Sequence, residues 1–112
     1  MPFFNLDDMP PAFVTPAHST AHGCLVSGSG IEVGVFSYKA GQGAREHFHP
    51  QEQILVVLEG VARFTLNGET HEMGPRRAVV VPPMLPHRLE AVTDVTVVSS
   101  KTMIDGVGHR IG

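Results

Sequence analysis

The fold of this chain is decided by residues 41–53, which read GQGAREHFHPQEQ. Histidines two residues apart on an extended chain point to the same side, because side chains alternate between the two faces of a strand. His47 and His49 can therefore bind one ion. His87 follows residues 82–86, PPMLP, and this rigid turn can hold a third imidazole with little entropy to lose on binding. The pattern predicts a metal ion inside a β-barrel.

The composition is that of one ordinary globular domain. The 112 residues are 42% hydrophobic and 17% charged, with a formal net charge of −3. We expect no nucleic-acid partner, since phosphate binding requires a basic face. The single cysteine, Cys24, indicates a reducing compartment. We find neither a signal peptide nor a run of the roughly 20 apolar residues that a membrane span needs, so we expect a cytoplasmic protein without membrane contact.

Glycine and proline divide the chain into two parts. Residues 1–22 carry four prolines and little periodicity, which predicts an N-terminal arm, and residues 23–112 form the predicted barrel domain. Short runs of β-forming residues between glycines and prolines indicate an all-β sandwich or barrel. Asn67-Gly68 predicts a type I′ hairpin turn. The expected strands are 31–39, 53–59, 61–66, 69–73, 78–81, 88–92 and 95–101.

Gln53 is the fourth candidate ligand. Like His47 and His49 it has an odd residue number, so on a continuous strand its side chain would point to the same face. Glu52 has an even number and is expected to point to the opposite face. Imidazole ligands suit a divalent transition metal. Zinc, nickel, manganese and iron all stay open, because metal availability often decides the identity over affinity. We assign a structural or surface role to the other histidines: His18, His22, His71 and His109.

The residues of both histidine segments resemble the two motifs of the cupin family. The first motif is matched by Gly41, His47, His49, Gln53 and Gly60, with glutamine where the family usually has glutamate. The second is matched by Pro82, Met84 and His87, with methionine where glycine is usual. The resemblance implies a single-domain jelly-roll β-barrel, and dimers are common in this family, so it also implies a homodimer.

Gln53 changes the charge of the predicted site. A glutamate would cancel one charge of a divalent ion, whereas three imidazoles and an amide oxygen leave the full dipositive charge. Such an ion is a stronger Lewis acid, which favours non-redox chemistry over oxygen chemistry. Among cupins, the chain resembles the small pectin-degradation proteins, which open unsaturated uronates into linear keto sugars and hold their metal with three histidines and a glutamine.

Three further side chains are candidates for catalysis. Arg45 shares the parity of His47 and can grip a carboxylate in bidentate fashion. Tyr38 ends a predicted strand beside the Gly41 loop and can donate a proton. Asp105 corresponds, by the resemblance, to an aspartate of the pectin-degradation cupins and can move a proton.

We therefore predict a metal-dependent, non-redox enzyme that acts on a small anionic carbohydrate such as an unsaturated uronate, by ring opening or isomerisation. An iron-dependent dioxygenase and a non-catalytic barrel that binds a small ligand are the alternatives. A cyclase or isomerase of polyketide-like aromatics is a further one, and it would need a wider and more apolar pocket. Fold alone does not separate these functions.

Overall fold

The protein is described by a computed structural model that covers residues 2–110. The ends of the predicted arm and barrel, residues 1, 111 and 112, lie outside this range. Within it, one 3₁₀ helix, Leu6–Asp8, precedes the strands, and no helix has the length and apolar character to cross a membrane. The strands are β1 (Ala12–Phe13), β2 (His22–Ser27), β3 (Ile31–Tyr38), β4 (Gly43–His47), β5 (Gln53–Glu59), β6 (Ala62–Leu66), β7 (Glu69–Met73), β8 (Ala78–Val81), β9 (His87–Ala91) and β10 (Val95–Thr102).

Two antiparallel sheets enclose the core. The six-stranded sheet has the order β1-β2-β3-β10-β5-β8, and the four-stranded sheet has the order β4-β9-β6-β7. In β10 every second residue from Val95 to Lys101 is buried, as expected of a strand with one face toward the core. The prediction of an all-β jelly-roll barrel is confirmed.

Several strand limits follow from short-range patterns. The ranges 53–59, 69–73 and 78–81 were predicted, and they coincide with β5, β7 and β8. Asn67 and Gly68 have φ angles of 47° and 86°, as a type I′ turn requires. Gly60, which ends β5, has a φ of 80°, and a side-chain carbon there would lie 2.0 Å from the carbonyl oxygen of Asp94. Only glycine fits that position.

Residues 12–21 cross from one sheet to the other. Ala12 pairs with Gly23 at the edge of the six-stranded sheet, and Ser19 forms a bridge to Ala44 of β4. Val14 and Ala21 are buried in the core between these two points. This segment therefore connects the β1 edge of the six-stranded sheet to the β4 edge of the four-stranded sheet. The division into an arm of residues 1–22 and a domain of residues 23–112 stays a prediction.

Candidate metal centre

Three histidines meet between the sheets. His47 is the last residue of β4, and it faces His87, the first residue of β9, across the ladder. His49 lies in the loop that follows β4. One ring nitrogen from each of the three lies within 4.8 Å of the others. Nitrogens at this spacing can bind a common ion, because ligands about 2.0–2.1 Å from a metal are separated by a few ångströms.

The position of His49 depends on the second histidine segment rather than on strand parity. Because β4 ends at His47, His49 is not on a continuous strand. Its carbonyl accepts a 2.8 Å hydrogen bond from the backbone N–H of Met84, which has a φ of 68°. This left-handed conformation explains why glycine is usual where the chain has methionine. The two motifs are thus held together by the backbone.

Each of the three imidazoles is oriented by a backbone carbonyl. The Nδ1 atoms of His47, His49 and His87 lie 2.6, 3.0 and 2.9 Å from the carbonyl oxygens of Arg45, Gln51 and Leu85. A carbonyl only accepts, so Nδ1 carries the proton and Nε2 presents its lone pair to the cluster. Backbone partners of this kind are typical of metal-binding histidines.

Burial keeps the three rings neutral. It lowers the pKa of His49 and of His87 to about 4, and it also lowers the pKa of His47. The nearby ammonium of Lys101 acts in the same direction on all three. A neutral imidazole has the lone pair that a metal requires. At neutral pH the cluster is therefore ready to bind a cation.

A buried chain of hydrogen bonds sets the orientation of Gln53. Glu32 accepts a 2.6 Å hydrogen bond from Nδ1 of His109, whose Nε2 lies 2.9 Å from Oγ of Ser99. The Ser99 hydroxyl lies 2.8 Å from the amide nitrogen of Gln53. A carboxylate only accepts, so the His109 ring donates to Glu32 and accepts from Ser99, and Ser99 accepts from the Gln53 amide. The Gln53 oxygen is left facing the histidines.

This oxygen lies 3.2 Å from Nε2 of His49. A neutral His49 has one ring proton and two acceptors beside it, the Gln51 carbonyl and the Gln53 oxygen, so it cannot donate to both. Nε2 of His87 is also buried and has no hydrogen-bond partner among the described residues. Buried acceptors that face one another are unfavourable unless a cation lies between them. The donor set therefore fits a divalent metal ion.

The cluster opens on a small cavity. Its volume is about 40 Å³, and its lining includes Tyr38, His47, Gln53, His87 and Lys101. One water-sized body needs about 10–15 Å³. The cavity therefore has room for an ion and for the few oxygen atoms at one end of a ligand.

The candidate catalytic residues are not all near this cavity. Tyr38 is buried in its lining, and burial raises the pKa of its phenol. Arg45 is exposed: its guanidinium donates to the carbonyl of Ala17, and it lines a separate cleft of about 670 Å³. Arg45 does not share the inward face of His47, because a β-bulge lies between Ala44 and His47. The bulge adds one residue to β4, which reverses the alternation of side chains and points Arg45 outward.

Asp105 is also exposed. It has a φ of 53° and lies in a turn that is closed by a bridge between Ile104 and Val107. The carbonyl of Val107 accepts a 3.0 Å hydrogen bond from the side chain of Gln51. The turn is thereby attached to the loop that carries His49, although Asp105 itself is not part of the cavity lining.

Sequence reasoning missed several polar groups of the cavity. His18 lies against His47, with ring centroids 4.1 Å apart. His109 is buried, within the structural or surface role expected of it, but its place in the cavity wall was not predicted. Ser99 and Lys101 occupy inward positions of a predicted strand, so their parity with Val95 and Val97 was an available signal. No local signal identified His109, because its partner Glu32 is 77 residues away along the chain.

A two-sheet β-barrel with inward histidines is thus the class of protein that the fold and the site define. The family model for the cupin domain matches residues 34–100, more than half of the chain. The chain belongs to the cupin superfamily, as its motifs predicted.

Solved structures agree with this assignment of the fold. KdgF from a Halomonas species is 22% identical with a TM-score of 0.81, over 92% of this chain and 94% of KdgF. The polyketide cyclase RemF from Streptomyces resistomycificus is 19% identical with a TM-score of 0.81, over 100% of this chain and 86% of RemF. A conserved protein of unknown function from Streptococcus pyogenes is 26% identical with a TM-score of 0.66, over 78% of this chain and 74% of the Streptococcus protein. No curated protein matches the chain significantly.

Proposed function

We propose that this cupin is a metal-dependent, non-redox enzyme that acts on a small anionic carbohydrate such as an unsaturated uronate, by ring opening or isomerisation. The observation that supports it is the neutral donor set: His47, His49 and His87 form one cluster, and the amide oxygen of Gln53 lies beside His49, without a carboxylate in the cluster. A divalent ion bound there supplies a Lewis acid that polarises a hydroxyl or carbonyl oxygen.

The protein side chains have distinct tasks in this proposal. The backbone carbonyls that bind each Nδ1 hold the three rings in the required tautomer, and Ser99 holds the Gln53 amide. Like any tyrosine, Tyr38 is neutral at physiological pH, and it therefore carries a proton inside the cavity. Burial raises its pKa further, so we propose that it donates this proton only to a strongly basic oxygen of the ligand. Arg45 and Asp105 are exposed, and we propose that they meet the part of the carbohydrate that stays outside.

The size of the cavity supports a ligand that inserts only one end. A volume of about 40 Å³ is well below the roughly 300–1,000 Å³ of a site that encloses a whole drug-sized molecule. An aromatic polyketide would need such a site, so the cyclase alternative has less support. A sugar acid that presents one carboxylate and one oxygen to the ion needs far less enclosed space.

The test begins with the metal content of the protein purified without added metal, beside His49→Ala and the matched surface control His71→Ala. His71 is exposed and contacts Glu69. We expect near-stoichiometric zinc, nickel or manganese in the wild type and in His71→Ala, and its loss in His49→Ala. Unsaturated galacturonate is then added, and loss of the ultraviolet absorbance of its conjugated double bond reports turnover.

Variants separate the roles of the side chains. We expect Tyr38→Phe and Asp105→Asn to retain the metal and to lose turnover, and unchanged turnover in either variant would remove that residue from the mechanism. Bound iron with oxygen consumption would instead support the dioxygenase. A fully metal-loaded protein that binds uronates without converting them would support a binding module.

A further inference from the structure

The geometry points to Lys101 as the anchor for a carboxylate that enters the cavity, beside the histidine cluster. We infer that the ligand is a monoanion whose carboxylate lies against the Lys101 ammonium while a neighbouring oxygen faces the ion. This inference deepens the proposed function and rests on it only for the presence of the ion. It moves the carboxylate anchor from Arg45, outside the cavity, to a residue inside.

Lys101 occupies an inward position in the middle of the six-stranded sheet. In the ladders it is paired with Glu32 of β3 on one side and with Gln53 of β5 on the other. Only 4% of its surface is exposed, and its side chain lines the same cavity as His47 and His87. Lysine is almost never buried to this extent unless it is paired.

The ammonium of Lys101 has no ion-pair partner among residues 2–110. Glu32 is the nearest candidate by register, but both of its carboxylate oxygens are engaged elsewhere. Oε1 accepts from the backbone N–H and the ring of His109, and Oε2 accepts from the hydroxyl of Ser27. A buried ammonium without a partner is unfavourable, and burial accordingly lowers the pKa of Lys101 to about 8, so the group still carries its proton at neutral pH. An anion that enters the cavity would supply the missing partner.

The charges around Lys101 favour a ligand with a negative charge. Lys101 lines the cavity together with His18, His47, His87 and His109. Its positive charge lowers the pKa of these four rings and of His49. A dipositive ion and Lys101, set against the single carboxylate of Glu32, leave the cavity with a net positive charge. Coulomb attraction in such a confined site favours an anion over a neutral ligand.

The shape of the site selects a carboxylate. The cavity of about 40 Å³ leaves room for only a few atoms beside an ion, and a carboxylate is among the smallest organic anions. An ammonium binds a carboxylate as a point charge, without the fork that an arginine needs to be placed correctly. A uronate supplies this carboxylate and a ring oxygen or hydroxyl beside it.

The experiment compares two sugars that differ only at one carbon, D-galacturonate and D-galactose. Calorimetric titrations use the zinc-loaded wild type, Lys101→Met, Lys101→Arg and the surface control Lys39→Met, since Lys39 is exposed. We expect galacturonate to bind the wild type and Lys39→Met, with affinity at least about tenfold lower in Lys101→Met and partly retained in Lys101→Arg. Galactose should bind all four proteins equally weakly.

Thermal unfolding distinguishes a binding role from a structural role. If Lys101 serves the ligand, then replacing its unpaired buried charge by methionine raises the melting temperature of the ligand-free protein. A lower melting temperature together with unchanged galacturonate binding would overturn the inference, as would a wild type that does not bind galacturonate.

The binding experiment and the turnover experiment test the carboxylate site and the proposed reaction separately. Galacturonate binding that depends on Lys101, without conversion of unsaturated galacturonate, would support the carboxylate site and reject the proposed reaction. Conversion that is unaffected by Lys101→Met would support the reaction and reject the carboxylate site.

Discussion

Two groups of histidines occupy the same barrel and differ in their partners. In His47, His49 and His87, Nδ1 is held by a backbone carbonyl and Nε2 faces the other two rings. In His109, both ring nitrogens have partners, Glu32 on one side and Ser99 on the other. The same side chain is thus left open toward a cation in one group and is fully satisfied in the other.

The comparison teaches that the ligand-binding character of a histidine depends on where its second nitrogen points, not on burial. Burial lowers the pKa of His109 to about 4, as it does for His49 and His87. Only the carboxylate of Glu32 distinguishes His109, because it fixes the proton on Nδ1 and makes Nε2 an acceptor for Ser99. His109 is therefore linked to Gln53 through Ser99 and has no ring nitrogen left for an ion.

The largest expected effect is on metal binding when the open group is broken. His87→Ala removes one of three nitrogens, so we expect the zinc affinity to fall by more than about 100-fold, which exceeds the loss caused by removing a group that only orients a ligand. Competition with a chelator of known affinity measures it, and His71→Ala should match the wild type. Equal zinc affinity in His87→Ala would show that His87 is not a ligand.

The two groups should act together on acid stability. The folded protein keeps His49, His87 and His109 neutral down to a pKa of about 4, whereas the unfolded chain protonates near 6.5. Between these values the unfolded state binds more protons, so stability falls as the pH falls from 6.5 toward 4 and is complete above 6.5. The melting temperature of the metal-free protein should drop steeply between pH 6.5 and 5.

Added zinc sharpens this test. It should raise the melting temperature at pH 7 and lose this effect as acid protonates its ligands. A melting temperature that is constant from pH 7 to pH 5 would contradict the burial of neutral histidines.

A smaller effect is expected when the link between the two groups is cut. Ser99→Ala removes the acceptor of the Gln53 amide, so the amide can rotate and present either atom to the ion. We expect about a tenfold loss of zinc affinity in a protein that remains folded, because Ser99 orients the Gln53 amide and does not contact the ion. Ser100→Ala is the matched control, because Ser100 faces the opposite side of β10. Equal losses in both variants would mean that Ser99 does not position Gln53.

The smallest effect concerns the backbone that joins the two histidine segments. Met84 has a φ of 68°, and 54% of its surface is exposed, so little packing is lost when the side chain is removed. Met84→Gly should relieve the left-handed strain and stabilise the fold by up to about 1 kcal/mol, measured by urea unfolding. Destabilisation would show that the exposed side chain makes a contact of its own.

Much of this arrangement was predictable from local patterns. The hydrophobic alternation and the glycine and proline positions gave β5, β7 and β8 their limits, and Asn67-Gly68 marked a hairpin. The spacing of His47, His49 and His87 predicted a cluster. These signals are local, because strand period and turn conformation depend on neighbouring residues.

The parity of Arg45 was not predictable in the same way. A bulge between Ala44 and His47 turns this side chain to the outside, and it depends on how β4 pairs with β9. Likewise, the loop position of His49 depends on the backbone N–H of Met84.

By itself, the sequence determined an all-β barrel, the three histidines that meet and the neutral glutamine beside them, because period, turns and motif spacing are encoded over short distances. The tertiary structure alone decided which polar side chains complete the cavity. Glu32, Ser99, Lys101 and His109 come from three separate segments, and Glu32 meets His109 across 77 residues. Which atom donates in each of their hydrogen bonds is decided only when the two sheets pack together, since the direction of a hydrogen bond depends on all of its partners.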